Sequence, residues 1–323
     1  MVRRVLNVLV SYRHRSQFQS LRRWRGGDFR RMVRIIPYET LRHRPGLPAG
    51  AYLFTNLEML PQRMFERVAQ VAAGIRETRP DALIFNDPRF VKRRYALGRA
   101  LHVEGINSFN MYRADECGTP QQWPVFLRGE KDHYGGDPEL IAGPEELDRA
   151  MQAEHARGRD SSRRLIVEFR DTCGADGYYR KYGVFRAGDR LVYRHCLFDK
   201  KWVVKVPRDE PTEEQYEEEL RFLDQRPHSD LVMRAFEIAG LQYGRIDFGM
   251  RDDGIEVWEI NSNPTAVSRR VPKGARRWEI TQKVVGEVAD AILDLARQGV
   301  GQPRVPSRAL LSIRPRHWRR LMK

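Results

Sequence analysis

Apolar residues along the chain follow two periods. Between Pro61 and Arg76, Met64, Phe65, Val68, Val71, Ala72 and Ile75 recur at the spacing of one helix face. On either side, Arg4 to Tyr12 and Asp81 to Asn86 are short apolar runs of strand type, so the chain opens as an α/β layer of parallel strands. Asp87 and Pro88 then read as the N-cap and first turn of a helix that runs to about Glu104 and stops at Gly105. Trp123 to Arg128 reads as a strand, Pro144 to Arg157 as an amphipathic helix with Leu147, Ala150, Met151 and Ala153 inward, and Arg164 to Phe169 as a second strand. Three further strands are predicted at Tyr178 to Phe185, Leu191 to Leu197 and Lys201 to Val206, with Gly188-Asp189 as the first reversal. Pro211 to Asp224 reads as an acidic, solvated helix, and Leu231 to Ala239 as a shorter helix ending at Gly240. Ile280, Val284, Val288, Ile292 and Leu295 mark one face of a last helix over Trp278 to Ala296.

The densest pattern lies between Tyr243 and Pro264. Two β-rich runs, Tyr243 to Met250 and Ile255 to Ile260, flank Arg251-Asp252-Asp253-Gly254, whose glycine supplies the positive φ of a tight reversal. A turn centred on Asp253 sets Asp247 opposite Glu259 and Arg245 opposite Asn261. It leaves Ile246, Phe248, Trp258 and Ile260 on the other face, because side chains alternate along a strand. Two carboxylates directly opposed at ~5 Å repel, so a cation is expected between them. Asp247, Glu259 and the amide oxygen of Asn261 form an all-oxygen set suited to Mg²⁺ or Mn²⁺, without the His or Cys a softer metal prefers.

Arg-x-Asp, a hairpin and Glu-Ile-Asn-x-x-Pro together resemble the metal-binding end of the ATP-grasp enzymes, which include glutathione synthetase, D-alanine-D-alanine ligase and the ribosomal-protein glutamate ligases. The resemblance covers roughly residues 81 to 265. It implies an α/β and α+β protein, with an N-terminal pre-ATP-grasp α/β domain over residues 1–98 and a two-lobed ATP-grasp domain over 99–297, the lobes at about 99–168 and 169–297. Its site residues follow by position. Asp247, Glu259 and Asn261 would hold Mg²⁺, Arg245 would steady the transferred phosphoryl group, and Asn263 would orient phosphate or substrate. Arg94, in the cluster Lys92-Arg93-Arg94, falls where similar enzymes place a basic residue against the ATP phosphates. Arg128 stands at a strand end where those enzymes carry Lys. The loop that follows, from Gly129 to Gly136, has backbone N–H groups suited to phosphate, but it carries His133 and acids beside Gly135 and Gly136 in place of small residues. Glu168 and Phe169 correspond to the hinge that meets adenine, while Lys181, His195 and Lys205 correspond to basic groups near the nucleotide. The implied reaction is ATP-dependent ligation of a carboxylate to an amine or other nucleophile through an acyl phosphate, on a small-molecule or peptide substrate. A phosphotransferase on the same scaffold is the alternative.

Composition adds limits. Hydrophobic residues make up 41% of the 323, enough for a substantial core, and no apolar run approaches the ~20 residues of a membrane span. Neither Gly-x-Gly-x-x-Gly after the first strand nor a P-loop motif occurs, which removes the common dinucleotide and P-loop readings. Cys117, Cys173 and Cys196 lack Cys-x-x-Cys spacing and read as the reduced thiols of a cytoplasmic protein. The formal charge of +15 is concentrated at the ends. Residues 1–34 carry ten Arg and one acid, and residues 298–323, read as a basic tail without a core of its own, carry seven basic residues and no acid. Such ends supply a third reading, binding to nucleic acid or another anionic surface.

Overall fold

The computed structural model describes residues 5–116, 119–130, 139–205, 210–267, 275–299, 304–306 and 309–310. His133, Gly135, Gly136, Cys117 and most of the basic tail lie outside them. Strands β1 (Leu6–Val10), β2 (Val33–Pro37), β3 (Gly46–Leu47), β4 (Ala51–Phe54) and β5 (Ile84–Phe85) and helices α1 (Ser16–Arg25), α2 (Gly27–Met32) and α3 (Gln62–Thr78) build the N-terminal layer. Its sheet is parallel with strand order β2-β1-β4-β5, as the apolar runs predict. Met64, Val68, Val71, Ala72 and Ile75 of α3 are buried against one face of it.

Helices α1 and α2 have no counterpart in the sequence reading. They bury only Phe18, Leu21 and Phe29, and their arginines crowd the remaining surface, which masks the helical period. The predicted helix from Asp87 starts later, as α4 (Arg94–Val103). Asp87 instead closes a turn: its buried carboxylate binds the Arg89 side chain at 2.6 and 3.0 Å and the Arg89 amide at 3.2 Å.

A three-stranded antiparallel sheet follows, in the order β6 (Met111–Arg113), β8 (Arg164–Glu168) and β7 (Val125–Gly129), with α5 (Pro144–Ala156) inserted between the last two in chain order. The larger antiparallel sheet runs β10 (Arg190–Asp199), β9 (Tyr179–Ala187), β11 (Tyr243–Arg251), β12 (Gly254–Asn261). Lys201 to Lys205 is not a strand: it bends after Asp199, which caps the Lys201 amide at 3.0 Å, and turns Trp202 toward the smaller sheet. Helices α6 (Glu213–Gln225), α7 (Ser229–Ala239) and α4 cover the back of the larger sheet, with Phe222, Phe236 and Leu97 in the same core as Ile246, Phe248 and Ile260.

Two segments pack differently from the sequence expectation. Helix α6 is acidic but not simply solvated, since Tyr216, Glu219 and Phe222 are buried and Glu219 is held by Arg277 at 2.7 Å. The last helix, α8 (Ala275–Gln298), packs on the N-terminal layer as well as on the larger sheet. Val284, Val288 and Ile292 share a core with Leu6, Val8, Phe18 and Phe185. Beyond it, β13 (Val305–Pro306) pairs with β3, and Ala309 and Leu310 are buried beside α3. The start of the supposed tail is therefore part of the N-terminal core, because its few apolar residues fall where that core is open. Among the described residues, no helix is long and apolar enough to cross a membrane.

Candidate active site

The hairpin β11–β12 sets the geometry. Arg245 pairs with Asn261 and Asp247 with Glu259, as the alternation predicts. The reversal is tighter than expected, with Arg251 opposite Gly254. An irregularity between Asp247 and Phe248 absorbs the extra residue and restores the register at the far end. The extra residue is Trp258. Rather than joining Ile246, Phe248 and Ile260 in the core, it is partly exposed and packs against Gly249 and the residues around Phe109. A bulge re-aims a side chain in this way.

Register across the whole sheet extends the pair into a row. His195 on β10 faces Gly183 on β9, Gly183 faces Asp247 on β11, and Asp247 faces Glu259 on β12. The glycine is required by space, since a Cβ there would lie 2.4 Å from His195 Nε2. His195 is buried, and its Nε2 has no hydrogen-bond partner among the described residues. Burial, reinforced by Arg245, Arg194 and Lys181, holds its pKa well below the usual histidine value.

Each carboxylate of the row already has a guanidinium. Arg245 grips Asp247 with two hydrogen bonds, 2.7 and 2.8 Å. Arg94 Nη2 donates to Glu259 Oε2 at 2.9 Å, and Asn261 Nδ2 donates to Glu259 Oε1 at 3.0 Å. The cation expected between two opposed acids is thus supplied in part by the protein. Arg94, expected at the phosphates, is instead largely buried behind Glu259 and also binds the Glu130 carbonyl at 3.0 Å. Burial opposes the charge of Arg245, but Asp247 and Glu259 outweigh it and hold the guanidinium above its ordinary value. Among the described residues, no three His, Cys, Asp or Glu side chains form a metal-binding group. The donor set that fits Mg²⁺ is the two carboxylates with the Asn261 amide, all hard oxygen ligands.

Asp247 and Glu259 open onto a cleft of about 1520 Å³ between the two antiparallel sheets. Lys181, Lys205 and Arg128 line it with them, as do Phe126, Phe169 and Trp202. Lys181 Nζ donates to the Val204 carbonyl at 2.7 Å, and burial lowers its pKa against the pull of Asp247. Trp202 sits 4.9 Å from the Phe126 ring and 5.2 Å from Phe169, centroid to centroid, forming an aromatic wall. Sequence reasoning placed Phe169 here and missed Trp202 and Phe126. The signal was the coincidence of aromatics at the end of one strand and after another, visible only once the sheets face each other.

Other expected contacts are redirected. Glu168 is buried and both its oxygens are engaged: Oε1 accepts from Tyr112 Oη, Gln121 N and Gln122 N at 2.8 to 3.0 Å, and Oε2 from Asn110 N at 2.8 Å. These bonds anchor Asn110, Tyr112, Gln121 and Gln122, and Glu168 itself lines the cleft beside Phe169. The amides of Glu168 and Phe169 donate to the carbonyls of Asn110 and Pro124. His195 and Asn263 do not line the cleft. Asn263 Nδ2 donates to the His14 carbonyl at 3.0 Å and its buried Oδ1 has no partner among the described residues, while neighbouring Ser262 binds Glu58 through its hydroxyl at 2.5 Å. The end of the hairpin is thereby tied to the carboxyl edge of the parallel sheet.

No protein-family model and no curated protein matches this chain. Solved structures do. The ATP-grasp ligase PsnB, complexed with a phosphomimetic variant of its minimal precursor, Mg and ADP, superposes with a TM-score of 0.51 at 14% identity, over 92% of this chain and 100% of that one. An ATP-grasp RimK-domain protein from Sphaerobacter thermophilus gives 0.49 at 16% identity, over 90% and 98%. D-alanine–D-alanine ligase from Bacillus anthracis, complexed with ATP, gives 0.45 at 10% identity, over 88% and 98%.

Proposed function

Because the chain has the ATP-grasp fold, we propose that it is an ATP- and Mg²⁺-dependent ligase that joins a carboxylate to an amine and releases ADP and phosphate. The observation that carries this reading is the in-register pair Asp247 and Glu259 lining a cleft that also holds an aromatic wall and the cations Lys181, Lys205 and Arg128. Flat apolar rings together with cations and hard oxygen donors in one cleft suit a nucleotide.

In this reading adenine packs against Trp202, Phe126 and Phe169, and the phosphates extend toward Lys181 and Arg128. Asp247, Glu259 and Asn261 would hold Mg²⁺, which would supply neutralisation of phosphate charge. A carboxylate oxygen of the substrate attacks the γ-phosphorus and the bond to the ADP oxygen breaks, giving an acyl phosphate. The amine then attacks the acyl carbon, loses a proton and expels phosphate. Positioning and charge neutralisation are the protein's whole task in such a transfer. Arg245 and Arg94 act as positioning residues that orient the two acids, and Asn263 holds the His14 segment against the hairpin. A peptide carboxylate is a candidate substrate alongside small acids, given the precursor-bound ligase that shares the fold.

The test offers pooled carboxylates and amines with ATP and Mg²⁺, and reads ADP and free phosphate. Equal release of both, dependent on substrate and lost in Asp247→Asn and Glu259→Gln, supports ligation. A stable phosphorylated product without free phosphate would identify a phosphotransferase instead.

A further inference from the structure

A second concavity, of about 420 Å³, lies outside the cleft, where α4 meets β6, Glu116 and Gln121. We infer that it is a binding site for a small organic monocarboxylate, with Arg99 and Arg113 as its anion receptors. Arg99 Nη1 donates to Asn110 Oδ1 at 2.7 Å, and among the described residues Arg99 has no carboxylate partner. A guanidinium held by a neutral amide at the wall of a pocket is oriented but not neutralised, the state in which it binds a carboxylate through two parallel hydrogen bonds. Arg113 is fixed as well: its guanidinium lies 4.5 Å from the Tyr95 ring centre, and Nη1 donates to the Ser162 carbonyl at 3.2 Å. Both receptors are therefore set before a ligand arrives, which lowers the entropic cost of binding.

Charge nearby selects the ligand. Glu116 also lines the pocket, and Glu130 lies 3.6 Å from Arg113. Two acids beside two guanidiniums disfavour a dianion such as phosphate and tolerate a single negative charge. Tyr95 and Tyr112 line the pocket beside the two guanidiniums, and the volume falls in the range of small-molecule sites. The inference does not require that the cleft bind nucleotide.

The experiment titrates the full-length protein with benzoate, with benzamide as its uncharged isostere, and with inorganic phosphate, by calorimetry. Saturable binding of benzoate is expected, at least about tenfold tighter than either control. Arg99→Gln and Arg113→Gln should each weaken benzoate about tenfold or more, and Lys181→Gln in the cleft should not. On the wild-type protein, phenylglyoxal modification mapped by mass spectrometry should show benzoate shielding Arg99 and Arg113, which decides the location even if a variant fails to fold. No saturable benzoate binding, equal binding of benzamide, phosphate binding as tightly as benzoate, shielding confined to cleft arginines, or loss of binding in Lys181→Gln alone would each overturn the assignment.

Discussion

Arg94 and Glu259 are 165 positions apart in the chain, and their Nη2 and Oε2 atoms are 2.9 Å apart in the fold, with the guanidinium the more buried partner at 8% exposure against 27%. Removing that guanidinium leaves Glu259 facing Asp247 with one cation fewer. Arg94→Met should therefore destabilise the metal-free protein by about 2–3 kcal/mol, read by urea denaturation. Glu259→Gln should also destabilise, by about 1 kcal/mol, since its carboxylate is paired. A gain of stability in Glu259→Gln, the result that unrelieved repulsion from Asp247 would give, would show that Arg94 does not serve this acid.

Gly183→Ala tests the row across the larger sheet. Its new methyl would meet His195 Nε2 at 2.4 Å and Cε1 at 2.5 Å, so the buried ring must move. Overpacking of this kind costs about 1–3 kcal/mol. The expected outcome is a lower Tm together with slower ADP release, because Asp247 is the next member of the row. Wild-type behaviour in both would mean that the ring relocates freely.

Burial raises the pKa of Glu58, and the charge of Glu259 adds to the rise against the hydrogen bonds from Ser262. The folded state then binds a proton more readily than the unfolded state, whose carboxyl keeps a value near 4.5. Stability from this group is complete below that value and is lost as pH rises through the raised pKa. Glu58→Gln should be more stable than wild type at pH 7, and the difference should shrink on acidification and vanish below 4.5. Denaturation midpoints of the two proteins across pH 4 to 7 provide the check; a difference that stays constant with pH would refute it.

Trp202→Ala should weaken nucleotide binding about tenfold, roughly the ~1.4 kcal/mol that an aromatic packing partner provides. Titration with an unhydrolysable ATP analogue measures it. Trp202→Phe should recover most of the affinity, which a merely structural tryptophan would not predict.

Truncation after Arg297 should unfold the N-terminal layer rather than trim a free end. Val305, Ala309 and Leu310 are almost fully buried, and a Cβ on Gly74 would sit 2.2 Å from the Ala309 carbonyl oxygen. Burying a valine and a leucine stabilises by about 3–5 kcal/mol together. Chemical denaturation of chains ending at Arg297 and at Lys323 should differ by about that much.

How legible these features were depended on sequence distance. The pairing of Asp247 with Glu259 could be read because a hairpin places neighbours by counting alone. The bulge at Trp258 could not, since a two-residue turn with a bulge and a longer turn without one give the same register at the far end. Arg94 lay in a basic cluster whose helical setting was foreseen, but nothing local says that its partner is Glu259. Trp202 reads as a strand residue because Lys201 to Val206 is rich in β-branched and aromatic residues, and only Phe126 and Phe169 reveal its surroundings. Helix α1 stayed hidden because Phe18 and Leu21 are its only fully buried positions among many arginines.

The packing of α8 and β13 on the opening layer fixes an order of events during synthesis. Leu6, Val8 and Phe18 are made well before the partners that cover them, which include Val284, Val288 and Ile292, and Leu47 waits for Val305. A nascent chain emerging from the ribosome must carry that exposed apolar sheet until those later partners have been added. Synthesis of the intervening chain takes on the order of tens of seconds at ordinary elongation rates, during which the N-terminal layer is a natural client for chaperones.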